Sequence, residues 1–464
     1  MEACDVLVIG GGPGGLSAAA EAKKSGAQRV IVLERDVEAG GVLNQCIHDG
    51  FGLIRYGAAL SGPEYANRAV REAREAGAEL WTGYQAVHLT AEHTVTALGR
   101  GGMRRVQAGA VVLATGCRER TRGMISIPGT RPAGVFTAGV VQNLVNVRDI
   151  MVGRRVVILG SGDVGLIMAR RLTLEGAQVL AVVEIRPQPE GLARNVSQCL
   201  DDFGIPLYVK HTVTEVIGEK RLEAVRIARV DGQGMPVPGT DWVAGCDTLV
   251  LSIGLIPENE VASEAGIALD AATNGVLTDE FLQTNIPGVF SCGNSRSVMD
   301  LADYVSEQGG CAGKNAALFV QKRPLVRWEA RRHAGMAKGF PQENCVTCPL
   351  CPNGCQVRWD ETAGVYQGNQ CPRGRAFAEQ ERTAPVRTLT AAMKVTGGVR
   401  PLVSVRSEKG IRKEELRTAC GELKAQRVTA PVRIGQVLYV YAGQDGKPVN
   451  ILASAAVLEK KEVD

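Results

Sequence analysis

The sequence predicts an α/β protein with two Rossmann-like domains, followed by a small α+β domain at its C-terminal end. Three observations predict this fold class. A strand, glycine turn, helix and second strand open the chain, and the same pattern returns 150 residues later. Beyond residue 340, clustered cysteines and short strand-like stretches replace that pattern. The length of 464 residues gives room for about three domains of ordinary size.

The composition excludes several classes of function. Lys and Arg number 53 against 49 Asp and Glu, so the net charge of +4 is too weak to predict nucleic-acid binding. No apolar run approaches the roughly 20 residues of a membrane span, and no secretory signal pattern opens the chain. We therefore expect a cytoplasmic globular enzyme with no membrane span and no nucleic-acid partner.

The first pattern is a glycine turn between a strand and a helix. Val6–Ile9 reads as a buried strand, Leu16–Ser25 as a helix, and Val30–Leu33 as a second strand that ends at an acid. In a Gly-x-Gly-x-x-Gly turn the first glycine allows the sharp bend, the second admits a pyrophosphate, and the third permits close helix–strand packing. The acid accepts from ribose hydroxyls. These features predict dinucleotide contacts at Gly10, Gly12, Pro13, Gly14, Gly15, Glu34, Arg35 and Gly41.

The second pattern repeats the first at a constant offset. Gly10 corresponds to Gly160 and Glu34 to Glu184, and the separation from glycine to acid is 24 in both copies. This repeat indicates a second dinucleotide site of the same geometry. Its predicted contacts are Gly160, Gly162, Asp163, Val164, Gly165 and Glu184. Two such sites predict that one dinucleotide is held permanently while the other exchanges, with a hydride passing between them.

Four motifs stand in a recognisable order: the first glycine turn, Ala114-Thr115-Gly116 after an apolar run, the second glycine turn, and Gly293-Asn294 after another apolar run. This order resembles the two-dinucleotide flavoprotein family related to glutathione and thioredoxin reductases, over residues 1–325. The resemblance implies FAD on the first turn and NAD or NADP on the second. It implies a discontinuous FAD-binding domain, 1–122 and 250–325, with an NAD(P)-binding domain, 123–249, inserted into it. It adds cofactor contacts at Ala114, Thr115, Gly116, Gly254, Gly293 and Asn294.

Two departures from that family stand in the sequence. Family members carry Gly-Asp where this chain has Gly293-Asn294, so the contact to the flavin's ribityl chain differs. Disulfide reductases of the family carry two cysteines after Gly40-Gly41, whereas this chain has Cys46 alone. Cys46 and His48 are therefore candidates for proton transfer or a single redox thiol beside the flavin. The alternative, that Cys46 packs and His48 hydrogen-bonds the backbone, stays open.

The choice between NAD and NADP depends on the end of the second strand. Glu184 favours NAD, because a carboxylate accepts from the ribose 2′-hydroxyl and repels a 2′-phosphate. Arg186 follows two residues later and points the other way. The sequence predicts NAD, with NADP as the alternative.

A basic stretch at 326–340, which contains Arg331, Arg332 and His333, predicts a linker to a C-terminal domain at 341–464. In that domain, strand-like stretches such as Val386–Val395 surround a predicted helix at Lys413–Leu423.

Five cysteines lie within 27 residues of this domain, between Cys345 and Cys371. Two ligand sets suit a 4Fe-4S cluster. Cys345, Cys348, Cys351 and Cys371 resemble a bacterial ferredoxin arrangement. The preferred set is Cys348, Cys351, Cys355 and Cys371, which resembles the N-terminal cluster segment of molybdopterin oxidoreductases and leaves Cys345 spare. A structural zinc site is the alternative.

Further stretches narrow the resemblance: Gly41–His48, Cys117–Gly123 and Cys199–Pro206. They are similar to the FAD-dependent oxidoreductases encoded beside genes of anaerobic glycerol-3-phosphate catabolism. The resemblance implies an electron-transfer subunit of a glycerol-3-phosphate or amino-acid and opine dehydrogenase complex. It also implies a hetero-oligomer whose partner is a flavoenzyme of the D-amino-acid-oxidase fold, or a low-potential electron carrier. The alternative is a self-sufficient NADH-dependent reductase of a small molecule that uses Cys46 and His48, with the tail as a zinc-bound scaffold.

Overall fold

The computed structural model of the chain describes residues 1–329, 336–443 and 446–460. They form two compact units, one made of residues 1–118 and 255–332, the other of residues 119–254 and 333–464. The domain boundaries drawn from the sequence stay a prediction. None of the helices in the described ranges is both long and apolar enough to cross a membrane.

The first 125 residues contain the first glycine turn and most of one sheet. The elements are β1 (Glu2–Ile9), α1 (Pro13–Lys24), β2 (Val30–Glu34), α2 (Gly62–Glu75), β3 (Glu79–Thr82), β4 (Tyr84–Leu89), β5 (Thr94–Gly99), β6 (Gly102–Leu113), β7 (Cys117–Glu119) and α3 (Arg122–Ile125). A short 3-10 helix covers Gly41–Gln45.

The middle of the chain repeats the pattern and then returns to the first unit. Its elements are β8 (Val135–Thr137), α4 (Ala138–Asn146), β9 (Arg155–Leu159), α5 (Asp163–Leu174), β10 (Gln178–Glu184), α6 (Ala193–Cys199), β11 (Leu207–Val209), β12 (His211–Ile217), β13 (Ala224–Arg229), β14 (Trp242–Gly245), β15 (Thr248–Leu251), β16 (Leu255–Pro257), α7 (Glu260–Glu264), β17 (Val289–Ser291) and α8 (Ala302–Val320).

The last third of the chain is rich in strands. Its elements are β18 (Val346–Thr347), β19 (Gln356–Asp360), β20 (Val365–Gln367), α9 (Pro372–Thr383), β21 (Val386–Arg387), β22 (Thr390–Thr396), β23 (Leu402–Ser407), β24 (Ile411–Arg412), α10 (Leu416–Ala425), β25 (Arg427–Thr429), β26 (Val437–Ala442) and β27 (Pro448–Ala453).

The sheet of the first unit has the order β3-β2-β1-β6, all parallel, with β17 added in parallel to the end of β6 and β5-β4 added in antiparallel. Val6 and Val8 of β1 are fully buried against α1 and α8, and Leu7 on the other face is fully buried in a core that includes Leu89 of β4 and Val95 of β5. Helices α1 and α8 cross closely. A methyl group at Gly309 would lie 2.1 Å from the carbonyl oxygen of Gly14, so this crossing requires glycine.

The second unit contains a sheet of the same type, in the order β11-β10-β9-β15-β8, all parallel. Strands β9 and β10 lie where β1 and β2 lie in the first sheet, with the glycine turn between strand and helix in both. A three-stranded antiparallel sheet, β12-β13-β14, belongs to the same unit. The two copies of the sequence repeat therefore fold alike.

The C-terminal residues of the second unit form two small layers. Strands β18-β19-β20 and helix α9 surround the clustered cysteines. The sheet β25-β22-β23-β27-β26 packs against α10. Leu174 from the end of α5 is part of the same apolar core, and Phe203 packs against it. The layer formed by this sheet and α10, called the C-terminal layer below, thus packs on the second nucleotide-binding fold.

Two predictions about the C-terminal elements need correction. Val386–Val395 is not one strand, because Thr388 and Leu389 interrupt it and divide it into β21 and β22, which belong to different sheets. There the carbonyl of Thr388 accepts from the Arg170 guanidinium at 2.9 Å and Leu389 N–H donates to the Ser407 hydroxyl at 3.0 Å. The predicted helix at Lys413–Leu423 begins as a 3-10 turn and becomes α10 from Leu416.

The predicted linker is partly held by the first unit. Asn315 accepts from the N–H of Val326 and donates to its carbonyl, both at 2.8 Å, and Trp328 N–H donates to Glu280. Residues 330–335, which include the predicted linker residues Arg331, Arg332 and His333, lie outside the described part of the chain.

A buried ion network joins the C-terminal layer to the second nucleotide-binding fold. Arg387 lies 2.6 Å from Asp202 and 2.6 Å from Glu381, and the side chains of Arg387 and Asp202 are about 95% buried. Lys413 adds a contact of 2.9 Å to Asp202. Removing one partner of such a network leaves an uncompensated buried charge.

Arg387→Ala is therefore expected to lower the free energy of unfolding by about 3–5 kcal/mol. Chemical denaturation of the full chain, followed by circular dichroism, measures the change. Arg226→Ala is the matched control, because Arg226 pairs with Glu215 and Asp241 at an exposed site. An equally small shift for both variants would contradict the assigned role of Arg387.

Candidate functional site

The first glycine turn joins β1 to α1 at the carboxyl edge of the first sheet. Gly10 has φ +108°, and its N–H donates to the carbonyl of Leu33 at 2.8 Å. A Cβ there would lie 2.2 Å from the carbonyl oxygen of Ala114, and one at Gly15 would lie 1.8 Å from the oxygen of Gly10. Any side chain at either position would break the turn.

Gly12 differs from its neighbours, because a Cβ built on it would meet no protein atom within 4 Å. It is the N-cap of α1, has no side chain to cap the helix, and is followed by Pro13 at the start of the helix. The backbone N–H groups of this end therefore face open space with the positive end of the helix dipole behind them. That arrangement fits a pyrophosphate.

The acid at the end of β2 holds the turn in place. Glu34 is 5% exposed, and its carboxylate accepts from Gly11 N–H at 2.9 Å and from Asp36 N–H at 2.8 Å. Burial raises the pKa of Glu34, and the two N–H donors oppose that rise. Arg35 is exposed. Gly41 lies against the turn, since its Cβ position is 3.0 Å from the Cα of Gly12.

The predicted motifs after β6 and β17 reach the same edge of the sheet. Ala114 N–H donates to Ile9 at 2.9 Å, and Thr115 and Gly116 follow it. Gly293 has φ +69°, and its N–H donates to the side-chain oxygen of the buried Gln308 at 2.7 Å. Gln308 was not among the predicted site residues, although a polar residue among small residues of α8 was a visible signal.

Asn294 has both ends of its amide engaged. Its oxygen accepts from Met299 N–H at 3.0 Å, which directs its NH2 group toward the sulfur of Cys117 at 3.4 Å. An Asp at this position would have no proton to donate to that sulfur. The Asn of this chain therefore matches Cys117, a residue that was not predicted to belong to a site.

Cys46 and His48 follow the 3-10 helix that begins at Gly41. The carbonyl of Cys46 accepts from Gly62 N–H at 2.8 Å, and the His48 ring lies 4.9 Å from the Phe51 ring. Both side chains are half-buried. Their assignment as proton-transfer or redox residues stays a prediction.

The second turn reproduces the first down to its hydrogen bonds. Gly160 N–H donates to Val183 at 2.7 Å. Glu184 accepts from Ser161 N–H at 2.9 Å and from Arg186 N–H at 2.8 Å. These bonds match those of Leu33, Gly11 and Asp36 at the 150-residue offset. The Ser161 hydroxyl adds a bond to Glu184 that the first turn lacks a side chain to make.

The remaining predicted contacts of the second site lie around this turn. A Cβ at Gly162 would approach the Ser252 hydroxyl to 3.3 Å, and one at Gly165 would approach Ser252 Cβ to 2.7 Å. Val164 packs against the core of the unit. Gly254, with φ +106°, follows β15. The opening at Gly162 is narrower than the one at Gly12.

Asp163, at the start of α5, is occupied by protein groups. Its carboxylate oxygen accepts from Leu192 N–H at 2.8 Å and from the Asn195 side chain at 2.7 Å. The structure thus gives Asp163 a role in holding the loop before α6, in addition to the predicted cofactor contact.

Two of the five clustered cysteines, Cys348 and Cys355, share one small apolar core. Burial raises the pKa of the Cys348 thiol, and the neighbouring thiols of Cys351, Cys355 and Cys371 raise it further. Cys371 is the N-cap of α9, where the N–H of Gly374 holds the pKa of its thiol below the ordinary value. The Cβ position of Gly374 is 3.7 Å from the Cys348 sulfur, so this turn packs against the group.

The sulfur of Cys345 lies 3.9 Å from the side-chain oxygen of Gln342. Four thiols are the donor set of a cubane cluster. Within the residues that the structure describes, no three His, Cys, Asp or Glu side chains are placed to hold a single metal ion. Both the cluster and the zinc alternative stay predictions.

Two protein-family models match this chain, one over the two nucleotide-binding folds and one over the C-terminal domain. The model of the pyridine nucleotide-disulphide oxidoreductase family matches residues 4–309, and that of a family described as a protein of unknown function (DUF1667) matches residues 372–454. A thioredoxin reductase of Listeria innocua is 26% identical over 326 residues, which are 68% of this chain and 94% of that protein. An opine oxidase subunit of Agrobacterium tumefaciens is 26% identical over 327 residues, or 63% of this chain and 61% of that one.

Among solved structures, thioredoxin reductase of T. acidophilum matches with a TM-score of 0.56 at 21% identity, over 69% of this chain and 99% of that one. The similarity confirms the predicted α/β fold class with two Rossmann-like domains. The C-terminal domain beyond them is rich in β-strands.

Gly12→Val is expected to give protein that folds but carries no flavin, because the new side chain meets no protein atom and fills the space before α1. Visible absorbance of the purified protein measures flavin, and circular dichroism measures folding. Gly232→Val is the matched control, since Gly232 is equally unobstructed but lies outside the turn. A folded Gly12→Val protein saturated with flavin would refute this placement.

Proposed function

This chain belongs to the pyridine nucleotide-disulphide oxidoreductase family, and from that premise we propose that it relays electrons between NAD(H), FAD and a 4Fe-4S cluster. Members of the family are FAD- and NAD(P)-dependent oxidoreductases, and this chain is one. The cluster, its ligands and the partner are the new part of the proposal. The observation that carries it is that Cys348 and Cys355 share one small core, with the thiols of Cys351 and Cys371 near enough to raise the Cys348 pKa, in the same unit as the second nucleotide-binding fold.

Residues of the first unit fit FAD. Gly12 leaves space in front of the N-terminus of α1 for a pyrophosphate, and Glu34 fixes the turn that presents the N–H groups. Gln308 holds the Gly293 peptide, and Asn294 is held between Met299 and Cys117. When bound, FAD exchanges electrons in pairs with a nicotinamide and singly with an iron–sulfur cluster.

Residues of the second unit fit a nicotinamide nucleotide and favour NAD. The buried Glu184 carboxylate stands at the end of β10, where it repels a 2′-phosphate. Arg186, which could attract that phosphate, is paired instead with Glu190 at 2.6 Å. This exposed pair weakens the attraction that Arg186 could offer to a 2′-phosphate.

The four thiols supply the ligands of the cluster. Cys371 sits at the N-terminus of α9, where N–H groups favour a thiolate, and Cys348 is buried against its turn. Cys345 lies outside the ligand set.

The partner is proposed to be a second dehydrogenase subunit. The similarity to a protein named as a subunit of opine oxidase supports an electron-transfer subunit in a hetero-oligomer. A flavoenzyme of the D-amino-acid-oxidase fold that oxidises an amino or opine acid, or glycerol 3-phosphate, would deliver its electrons here. A low-potential carrier is the other partner that suits a cluster.

An anaerobic absorption spectrum with iron and sulfide analysis tests the relay, followed by titration with NADH. Bleaching of the flavin band together with a broad iron–sulfur shoulder is the expected result. Flavin without iron, or flavin that NADH leaves oxidised, would overturn the proposed sequence of carriers.

Cys371→Ala is expected to lose iron and keep flavin, since it removes a ligand without touching the first unit. Cys345→Ala is the matched control and is expected to keep both. Iron per chain, set against flavin per chain, measures the effect. Loss of iron from the Cys345 variant and its retention in the Cys371 variant would refute the ligand set.

Glu190→Gln is expected to free Arg186 and to raise kcat/KM for NADPH relative to NADH by about two- to fivefold, the effect of an exposed ion pair. Steady-state reduction of an artificial acceptor measures both values. The double variant that adds Arg186→Ala should return the ratio to its starting value. An unchanged ratio in Glu190→Gln would show that Arg186 does not reach the nucleotide.

A second candidate function is a self-sufficient reductase that uses Cys46 and His48. The observation in its favour is that the 3-10 helix leading to Cys46 begins at Gly41, against Gly12 of the first turn. Cys46→Ser is expected to leave the reduction of flavin by NADH unchanged if the relay is correct. Abolished turnover of a small-molecule acceptor, with flavin still bound, would favour the reductase.

A further inference from the structure

Residues 186–195, which are the loop before α6 and the first turn of that helix, contact the second glycine turn and reach toward the cysteine segment, residues 345–371; we name residues 186–195 the bridging loop. At the turn, Glu190 N–H donates to the Ser161 hydroxyl and Gly191 N–H to the Ser161 carbonyl, both at 3.0 Å. A Cβ at Gly191 would lie 2.6 Å from a methyl group of Leu166. The loop therefore packs tightly onto the turn and the start of α5.

Asp163 fixes the other half of the bridging loop. One carboxylate oxygen accepts from Leu192 N–H at 2.8 Å and from the Asn195 amide at 2.7 Å. Leu192 itself is buried, at 1% exposed, and its bond to the half-buried Asp163 is partly shielded from water. Because Asp163 is the first residue of α5, movement of the loop displaces the helix end that faces a nucleotide pyrophosphate.

The far side of the bridging loop contacts the cysteine segment. Ala193 N–H donates to the carbonyl of Ala337 at 2.9 Å, and Ala337 N–H donates to the carbonyl of Asn353 at 3.2 Å. Asn353 and Gly354 lie between Cys351 and Cys355. Two peptide hydrogen bonds thus connect the loop that carries two proposed metal ligands to the residue next to Leu192.

Metal bound by the cysteines is expected to order this connection. Without metal, only local turns restrain the backbone of the cysteine segment. A bound metal cross-links its thiolates and removes most of the conformational freedom of the segment. When the cysteine segment is ordered by metal, the bridging loop that contacts it is ordered too. Such a loop loses less entropy than in the metal-free protein when a nucleotide fixes the glycine turn. By thermodynamic linkage, bound nucleotide must raise the affinity of the cysteine segment for metal by the same factor by which metal raises its affinity for the nucleotide.

We propose that the bridging loop couples binding of NAD at the second glycine turn to metal loading of the cysteine segment, with Asp163 and Asn195 as positioning residues. This inference rests on the proposed function, because it takes the cysteines to be metal ligands and the second turn to be a nucleotide site. It adds that the two sites bind cooperatively.

Calorimetric titration of the full-length protein with NAD⁺, which does not reduce the flavin, tests the coupling. The metal-loaded protein and protein stripped of metal by a chelator are compared at equal flavin content. Stripping is expected to raise the Kd for NAD⁺ at least about fivefold, the lower end of ordinary coupling between sites. In the reverse direction, saturating NAD⁺ is expected to slow the loss of metal to the chelator.

Asn195→Ala tests the route, because it removes one bond to Asp163 and no proposed ligand. In this variant the loaded and stripped forms are expected to bind NAD⁺ equally, while metal content stays at the wild-type level. Gln198→Ala, on the same helix, is the matched control and is expected to keep the difference.

The outcomes separate this inference from the proposed function. Metal-loaded and stripped wild-type proteins with equal affinities overturn the coupling and leave the relay intact. A difference that persists in Asn195→Ala overturns the bridging loop as its route. Zinc in place of iron overturns the relay. The Kd values for NAD⁺ of the zinc-loaded and stripped proteins then decide whether the coupling exists. A chain purified without any metal overturns both.

Discussion

The hydrogen bond from a peptide N–H in the glycine turn to the carboxylate that ends the next strand is the constraint on which both nucleotide-binding folds depend. It joins Gly11 to Glu34 and Ser161 to Glu184. Each carboxylate is buried and accepts a second N–H from two residues further along. A buried carboxylate is costly unless its oxygens are satisfied, so turn and strand end hold each other in one geometry. The open space at Gly12 exists because that geometry keeps side chains away.

The second unit adds a different kind of constraint. Its C-terminal sheet shares an apolar core with Leu174 at the end of α5, and the buried Arg387 joins the C-terminal residues to Asp202 of the nucleotide-binding fold while pairing with Glu381 of α9. Charged groups buried together in this way tolerate few alternative arrangements, because each displaced partner leaves a charge without compensation. The proposed cluster domain is therefore part of the nucleotide-binding unit, and the bridging loop is one of several contacts between them.

Features with a period or a fixed spacing could be predicted from the sequence, and long-range polar contacts could not. The 150-residue offset predicted the repeated turn, and the hydrogen bonds of Glu34 and Glu184 repeat at the same offset. The order of the glycine motifs predicted which ones meet at one sheet edge. Arg387 and Asp202 are 185 residues apart and follow no pattern, and the contact between Asn294 and Cys117 spans 177. The interruption of Val386–Val395 depends on Arg170 of another element, which local β-propensity does not register.

The close crossing of α1 and α8 has a consequence for the order in which the chain acquires its structure. Gly14 and Ala18 near the start of the chain pack directly on Gly309 and Gly313. Strand β17 likewise joins β6 from a distant part of the sequence. A nascent chain that has reached residue 254 already holds every strand of the second parallel sheet, β8 to β11 and β15, but lacks the elements that close the first. During synthesis the nucleotide-binding fold of residues 119–254 can therefore form first. The apolar strands of residues 1–118 stay exposed until α8 has been synthesised.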